Sequence, residues 1–205
     1  EFLFHELMKR GMIIEVDHLP RFASVRAFEL LEAADYPAAG THGRNHEGRL
    51  YALGGVSKSG FGTCRRPGQT RTVDDGFQAR IDLIEANGAF PAEGFGFDLN
   101  GFEGGGRPGF GAGSPCGEPQ EDTVTYPLTS YGGDVVFEQP WLGERPVDFN
   151  TEGMAHIGLV AELIEDVRGD GVSDGELEPL FRSAEGYIRM WEKAERRAKA
   201  VAKGR

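Results

Sequence analysis

Three residues of this sequence could together bind a metal ion. His18, His42 and Asp98 each follow a short apolar or small-residue run of the kind expected for a buried strand. In parallel α/β folds, side chains at the carboxyl ends of the strands meet on one rim, where ligands bind. Neutral imidazole and carboxylate are ligands of Zn²⁺ and similar divalent ions, which lower the pKa of bound water. The three residues therefore predict a divalent-metal site, with zinc as the expected ion.

The elements that must position these residues alternate between strand and helix patterns. Short strand-like runs precede each of the three, and helical stripes separate the runs. Phe77, Ile81 and Ile84 form one such stripe, which ends at Asn87-Gly88. Regular structure is predicted to resume at Asn150, as a helix N-cap, and to continue as helices to the end of the chain. Strands that alternate with helices indicate a parallel α/β sheet or barrel.

Composition limits the class of protein further. The chain has 205 residues and a formal net charge of −11, which argues against nucleic acid as a partner because phosphate binding depends on Lys and Arg. No apolar run approaches the ~20 residues that a membrane span requires, so no membrane-spanning segment is predicted. Many of the 31 glycines lie between residues 94 and 117. We predict a single domain over 1–205, with an irregular Gly/Pro-rich insert at 101–149 and C-terminal helices over 150–205.

Three segments of the chain have a pattern known from a family of enzymes. They are Gly11–His18 (GMIIEVDH), Pro37–His42 (PAAGTH) and Gly94–Gly101 (GFGFDLNG). They resemble the renal or membrane dipeptidase family of metallopeptidases, in the amidohydrolase superfamily, whose pattern is roughly G-M-h-h-D-h-S-H, P-h-h-x-S-H and G-h-G-S-D-F-D-G. The resemblance covers nearly the whole chain except the insert, and is strongest to a divergent bacterial branch. It implies the C-terminal half of a (β/α)₈ TIM-like barrel.

The resemblance gives each matching residue a role. His18 and His42 match the two histidines that ligate the second zinc of a binuclear site. Asp98 matches the acid that acts on the catalytic water and on the leaving amine. Arg44 and Asn45 follow His42, in the region where the family has an arginine that binds the substrate carboxylate, although the family spacing to that arginine is longer. A guanidinium fork suits a carboxylate.

The chain also departs from the family pattern. Asp17 stands where the family has serine, and Asn100 stands where it has a second aspartate, so the substrate stays open. The family's first metal needs an H-x-D pair and a bridging glutamate, and neither is in this chain. The chain therefore holds at most half of a binuclear site. Catalysis would require the N-terminal half of the same barrel or a complementary subunit.

The expected activity is metal-dependent hydrolysis of an amide bond in a small dipeptide-like or N-acyl amino acid substrate. Asp98 would move the proton in this reaction. A lactonase or phosphoester hydrolase stays open, because related barrels share these ligands. The alternative from another class is a non-catalytic barrel subunit or binding protein that has lost part of the metal site. Copurification of a second chain with an H-x-D motif would favour the enzyme.

Two cysteines follow the strands predicted within Leu50–Ser57 and Glu93–Phe97, the third and fourth in chain order, on the same rim as the metal site. Cys64 and Cys116 could form a disulfide, remain as free thiols or act as a loose metal pair. Neither has a C-x-x-C partner, which argues against a zinc knuckle. The disulfide is favoured, and it would indicate an exported protein, periplasmic or extracellular.

Overall fold

The computed structural model describes residues 1–43, 47–59, 64, 75–96, 106–117, 120 and 123–204. These residues form a mixed α/β protein, which confirms the predicted class. The chain divides into two compact units. The sheet unit comprises Glu1–Gly60, Gly76–Gly96 and Glu178–Arg205, and the insert unit comprises Phe61–Asp75 and Phe97–Leu177.

The sheet unit is built on four parallel strands that follow one another in chain order. They are β1 (Ile14–Glu15), β2 (Ala38–Gly40), β3 (Val56–Ser59) and β4 (Gly94–Phe95). The register aligns Glu15 with Ala39 and Gly40 with Ser57. Parallel neighbours need a crossover connection, and helices provide it here. The carboxyl ends of the strands consequently lie along one edge of the sheet.

The helices of the sheet unit bury apolar stripes, as the sequence predicts. They are α1 (Phe2–Lys9), α2 (Arg21–Ala33), α3 (Glu47–Ala52), α4 (Asp75–Ala86) and α8 (Ser183–Val201). The predicted stripe of Phe77, Ile81 and Ile84 is buried in α4. In α8 the buried face includes Gly186, where an added Cβ would lie 2.6 Å from Cβ of Ala92. Glycine at this position therefore permits the close approach of α8 to the segment before β4.

The insert unit contains two short antiparallel hairpins followed by helices. Its elements are β5 (Leu128–Thr129), β6 (Val136–Phe137), β7 (Trp141–Leu142), β8 (Arg145–Pro146), α5 (Phe149–Glu152), a 3-10 turn (Ile157–Leu159) and α6 (Val160–Gly169). β5 pairs with β6 and β7 pairs with β8. The next helix, α7 (Asp174–Phe181), contributes residues to both units. The core of the insert unit is an apolar cluster formed by Val124, Leu128, Val147, Phe149, Met154, Leu159 and Leu163.

The prediction that Asn150 caps a helix is wrong. The N-cap of α5 is Asp148, whose carboxylate accepts a hydrogen bond from the backbone N–H of Asn150 at 3.0 Å. The side chain of Asn150 instead bonds the backbone of Val124, accepting from its N–H at 2.8 Å and donating to its carbonyl at 2.9 Å. Asn150 thus joins two chain segments, because its amide can both donate and accept.

None of the helices in the described part of the chain is long and apolar enough to cross a membrane.

Candidate metal centre

The structure brings His18 and His42 together just beyond β1 and β2. Glu15 and Ala39 are partners in the sheet, and each histidine stands three residues after its member of that pair. The two ring centroids are 4.5 Å apart, and the rings meet edge to face at 88°. The side chain of His18 is 58% exposed, and His42 is half-buried. Both imidazoles are therefore neighbours on an accessible rim of the sheet.

Glu15 connects the ends of the two strands. Its Oε2 lies 2.8 Å from Nδ1 of His18, and its Oε1 accepts hydrogen bonds from the N–H of Asp17 at 2.8 Å and the hydroxyl of Thr41 at 3.0 Å. A carboxylate on one nitrogen of a ligand histidine fixes the ring and directs the other nitrogen toward the metal. This contact occupies Nδ1 of His18, so Nε2 is the nitrogen that could bind an ion.

Two opposing effects act on the pKa of Glu15. Partial burial raises the pKa, whereas hydrogen bonds from His18, Asp17 and Thr41 stabilise the carboxylate and lower it. The net result is a pKa below the ordinary value for glutamate. Glu15 is therefore ionised at neutral pH and accepts hydrogen bonds strongly. Sequence reasoning missed this residue, although a charged side chain inside the apolar run MIIEV was a visible signal.

Asp17 holds the backbone at the second histidine. Its Oδ2 accepts a hydrogen bond from the N–H of His42 at 2.8 Å, and the residue is nearly buried. A Cβ at Gly40 would lie 3.3 Å both from this oxygen and from Oγ of Ser57, so the glycine leaves room for the carboxylate. Asp17 therefore positions the chain at His42.

A buried network that the sequence did not reveal lies beside the same loop. Glu93 is completely buried, accepts a hydrogen bond from the hydroxyl of Tyr51 at 3.0 Å and lies 3.2 Å from Nε of Arg80. Burial raises the pKa of Tyr51, and the Glu93 carboxylate raises it further, so the phenol stays neutral and donates. A Cβ at Gly43 would lie 3.4 Å from a terminal nitrogen of Arg80. The guanidinium consequently stands close to the backbone that follows His42.

Gly43 itself is restricted by its surroundings. Its φ is +60°, and a Cβ would lie 2.5 Å from the carbonyl oxygen of Lys58 in β3. Both the dihedral angle and the close approach require glycine. This restriction fixes the direction in which the chain leaves His42.

The remaining predicted site residues lie elsewhere. Asp98, Arg44 and Asn45 lie outside the described residues. The structure joins Cys64 and Cys116 of the insert unit in a disulfide, with their Cα atoms 5.2 Å apart. The sequence left open a disulfide, free thiols or a metal pair, and the structure has the disulfide.

The described donor set suits a divalent ion but is small. Two imidazoles, one of them oriented by a carboxylate, are the ligands that zinc accepts. No group of three or more His, Cys, Asp or Glu residues that could hold a metal occurs among the described residues. His18 and His42 could therefore supply only two of the ligands that a metal ion needs, and any others would have to come from outside the described residues.

Comparison of the chain with protein-family models finds no match, and neither does comparison with curated proteins or with solved structures.

Proposed function

We propose that this protein is a metal-dependent hydrolase of amide bonds, with a small dipeptide-like or N-acyl amino acid substrate. The observation that carries the proposal is the pairing of His18 with His42 at 4.5 Å, beyond neighbouring parallel strands. Ligands gather at the carboxyl ends of strands in parallel α/β folds. The resemblance of the surrounding segments to the dipeptidase family supports the same activity.

The four parallel strands support a more specific proposal about the fold. Each strand pairs with the next in chain order, and α2, α3 and α4 connect them. This order is the one found in a (β/α)₈ barrel, so we propose that the sheet unit is the C-terminal half of one. Within the described sheet, β1 and β4 each pair on one side only. The N-terminal half of the barrel or a complementary subunit would pair with these edges, since open edges are a liability.

The proposed roles follow from the contacts at the site. His18 and His42 would hold a divalent ion, with zinc expected, and the ion would supply a water of lowered pKa. Glu15 fixes the ring of His18. Asp98 is proposed as the general acid and base that moves a proton between the water and the leaving amine. Arg44 and Asn45 are proposed to bind the substrate carboxylate.

A non-catalytic subunit or binding protein is the second proposal, and one observation favours it. The described residues bring together two metal-ligating histidines rather than three or more such groups. A barrel subunit that keeps the fold without one metal's ligands would have this arrangement. The disulfide of the insert unit supports export in either case, because such bonds persist in oxidising compartments.

Zinc affinity and hydrolysis separate the two proposals. The protein, together with any chain that copurifies with it, is assayed for bound metal and for hydrolysis of a dipeptide panel. We expect His18→Ala and His42→Ala to weaken zinc binding by about tenfold or more. His5→Ala, a control on the exposed surface of α1, should leave it unchanged. Asp98→Asn should reduce hydrolysis.

Two results decide against the enzyme, and a third supports it. Full metal content and undiminished hydrolysis in both His18→Ala and Asp98→Asn would reject the proposed site. A lone homomer without metal or activity would support the non-catalytic subunit. A copurifying second chain with an H-x-D motif would instead support the enzyme.

A further inference from the structure

A second group of charged residues lies on α8, within the sheet unit. Arg189, Lys193 and Arg196 are spaced four and three residues apart, so they share one side of the helix. A cavity of about 220 Å³ lies against this side. Its opposite wall comes from residues 54–56, where β3 begins, and from residues 88–90, which precede β4. The cavity therefore lies at the amino ends of the strands, whereas the two histidines follow the carboxyl ends.

Glycines form much of the wall that faces the three cations. Gly54, Gly55 and Gly88 line the cavity, and Gly54 and Gly88 have φ values of +71° and +64°. A Cβ at Gly54 would lie 3.4 Å from Cδ of Lys193, whereas a Cβ at Gly88 would meet nothing within 4 Å. The absence of side chains on this wall leaves space for a ligand next to the charged groups.

The lining of the cavity is positive although the protein is acidic. Among the described residues, three cations and no acidic side chain line it, in a chain with a formal net charge of −11. Lys193 donates to Asp35 at 2.7 Å, and it is the most buried of the three. Arg196 has a longer ion pair, 3.7 Å from Oε2 of Glu192. The acidic partners lie outside the lining, so the space itself is bordered by positive charge.

Arg189 is held in a fixed direction by two contacts. Its Nε donates to Glu185 at 2.7 Å, and its guanidinium carbon stands 4.2 Å from the ring centroid of Phe90. A cation over an aromatic face is attracted by the ring. Within the described part of the chain, only Nε of this guanidinium takes part in a hydrogen bond. These contacts hold the guanidinium in place and leave its two terminal nitrogens available to bind an oxyanion, whose geometry their fork fits.

We propose that this cavity binds a small, multiply charged oxyanion, at a site separate from the candidate metal centre. Phosphate and polycarboxylates share this chemistry, since both accept paired hydrogen bonds from guanidinium groups. A cavity of about 220 Å³ has room for several waters, and therefore for such an ion. Arg189 and Arg196 bind the oxygens, and Lys193 adds a positive charge at the glycine wall.

Calorimetric titration at constant ionic strength tests the proposal. Inorganic phosphate and citrate are the two probes, and the protein is first freed of metal with a chelator so that binding at the histidines does not contribute. We expect saturable binding of at least one probe, with an affinity that falls about tenfold or more in the double variant R189Q/R196Q. Tighter binding of phosphate would assign the site to phosphate or phosphoryl groups, and tighter binding of citrate to polycarboxylates.

A charge-matched control separates a site from a general effect of charge. K199Q/K203Q removes two cations from the same end of the chain but leaves the cavity lining intact, so its affinity should stay within about twofold of the unmodified protein. Both arginines of the test variant are more than half exposed, and circular dichroism checks that the variant folds. Failure of both probes to bind saturably, or an equal loss in the control, would overturn the proposal. Binding that disappears in His18→Ala would also overturn it, because the site is independent of the metal centre.

Discussion

Replacing Arg80 with alanine removes a cation from beside the completely buried carboxylate of Glu93. In the intact protein Nε of Arg80 lies 3.2 Å from Oε1 of Glu93, and the hydroxyl of Tyr51 donates to Oε2 at 3.0 Å. After the substitution the phenol remains, but the charge that balances the carboxylate is lost. Because no surface of Glu93 is exposed, water can replace the guanidinium only if neighbouring side chains move.

The size of the effect follows from this burial. Removing one partner of a buried ion pair costs about 3–5 kcal/mol in the free energy of unfolding. The side chain of Arg80 is 22% exposed, so some water enters the space, and we expect the lower end, about 3 kcal/mol. For a protein of this size each kcal/mol shifts Tm by roughly 2–4 °C, so Tm should fall by about 6–12 °C.

Thermal and urea unfolding of Arg80→Ala, Glu93→Gln and the double variant measure the coupling between the two residues. Glutamine needs no cation, so the double variant should be less destabilised than the sum of the single variants. Arg26→Ala is the control, since Arg26 makes exposed ion pairs that water screens, and its loss should destabilise the protein far less than Arg80→Ala does. The reasoning is refuted if Arg80→Ala costs no more than Arg26→Ala, or if the two single effects simply add.

Three further predictions concern other parts of the molecule. Glu15→Gln should weaken zinc affinity by about 10–100-fold, because it disturbs the contact that orients His18; a competition titration with a zinc-binding dye measures this. Glu162 is almost completely buried, its Oε2 has no hydrogen-bond partner among the described residues, and burial raises its pKa. Its contribution to stability is therefore greatest below the unfolded pKa of about 4.3 and is lost as pH rises through the higher folded pKa. Glu162→Gln should consequently stabilise the protein by about 1–2 kcal/mol at neutral pH and by much less at acidic pH, as measured by urea unfolding at both. Replacing Cys64 and Cys116 with serine should lower the stability of the insert unit by about 2–4 kcal/mol.

Matched controls accompany these three predictions. Glu29→Gln changes an exposed glutamate of α2 and should leave zinc affinity intact, so an equal effect of both substitutions would contradict the role of Glu15. Glu165→Gln lies on the same helix as Glu162 but is part of a surface ion pair, and it should change stability by about 1 kcal/mol or less at either pH. A pH-independent effect of Glu162→Gln would show that its carboxyl does not titrate on unfolding. Alkylation of Cys64 and Cys116 without prior reduction would show that they are not paired.

The sequence was sufficient to predict the alternating strands and helices of the sheet unit. The reason is that the periodicity of apolar residues reflects which residues each helix and strand must bury. The stripe of Phe77, Ile81 and Ile84 is buried in α4 as its spacing predicts. The two hairpins of the insert unit were not predicted, since their strands are two residues long and leave no periodic pattern. The local sequence predicts a helix cap at Asn150 because asparagine favours that position. Its actual partner, Val124, is 26 residues away, and a local pattern contains no information about such a bond.

By itself, the sequence determined the α/β class and the positions of His18 and His42 after two strands, because the type and order of residues encode both. Only the tertiary structure decided which groups surround them. Glu15 accepts a hydrogen bond from Thr41, which is 26 residues further along the chain. Glu93 accepts one from Tyr51, which is 42 residues before it. Such contacts depend on which strands and helices pack together, since packing brings distant residues within hydrogen-bond distance. The two histidines became a candidate site once the parallel register placed their rings side by side.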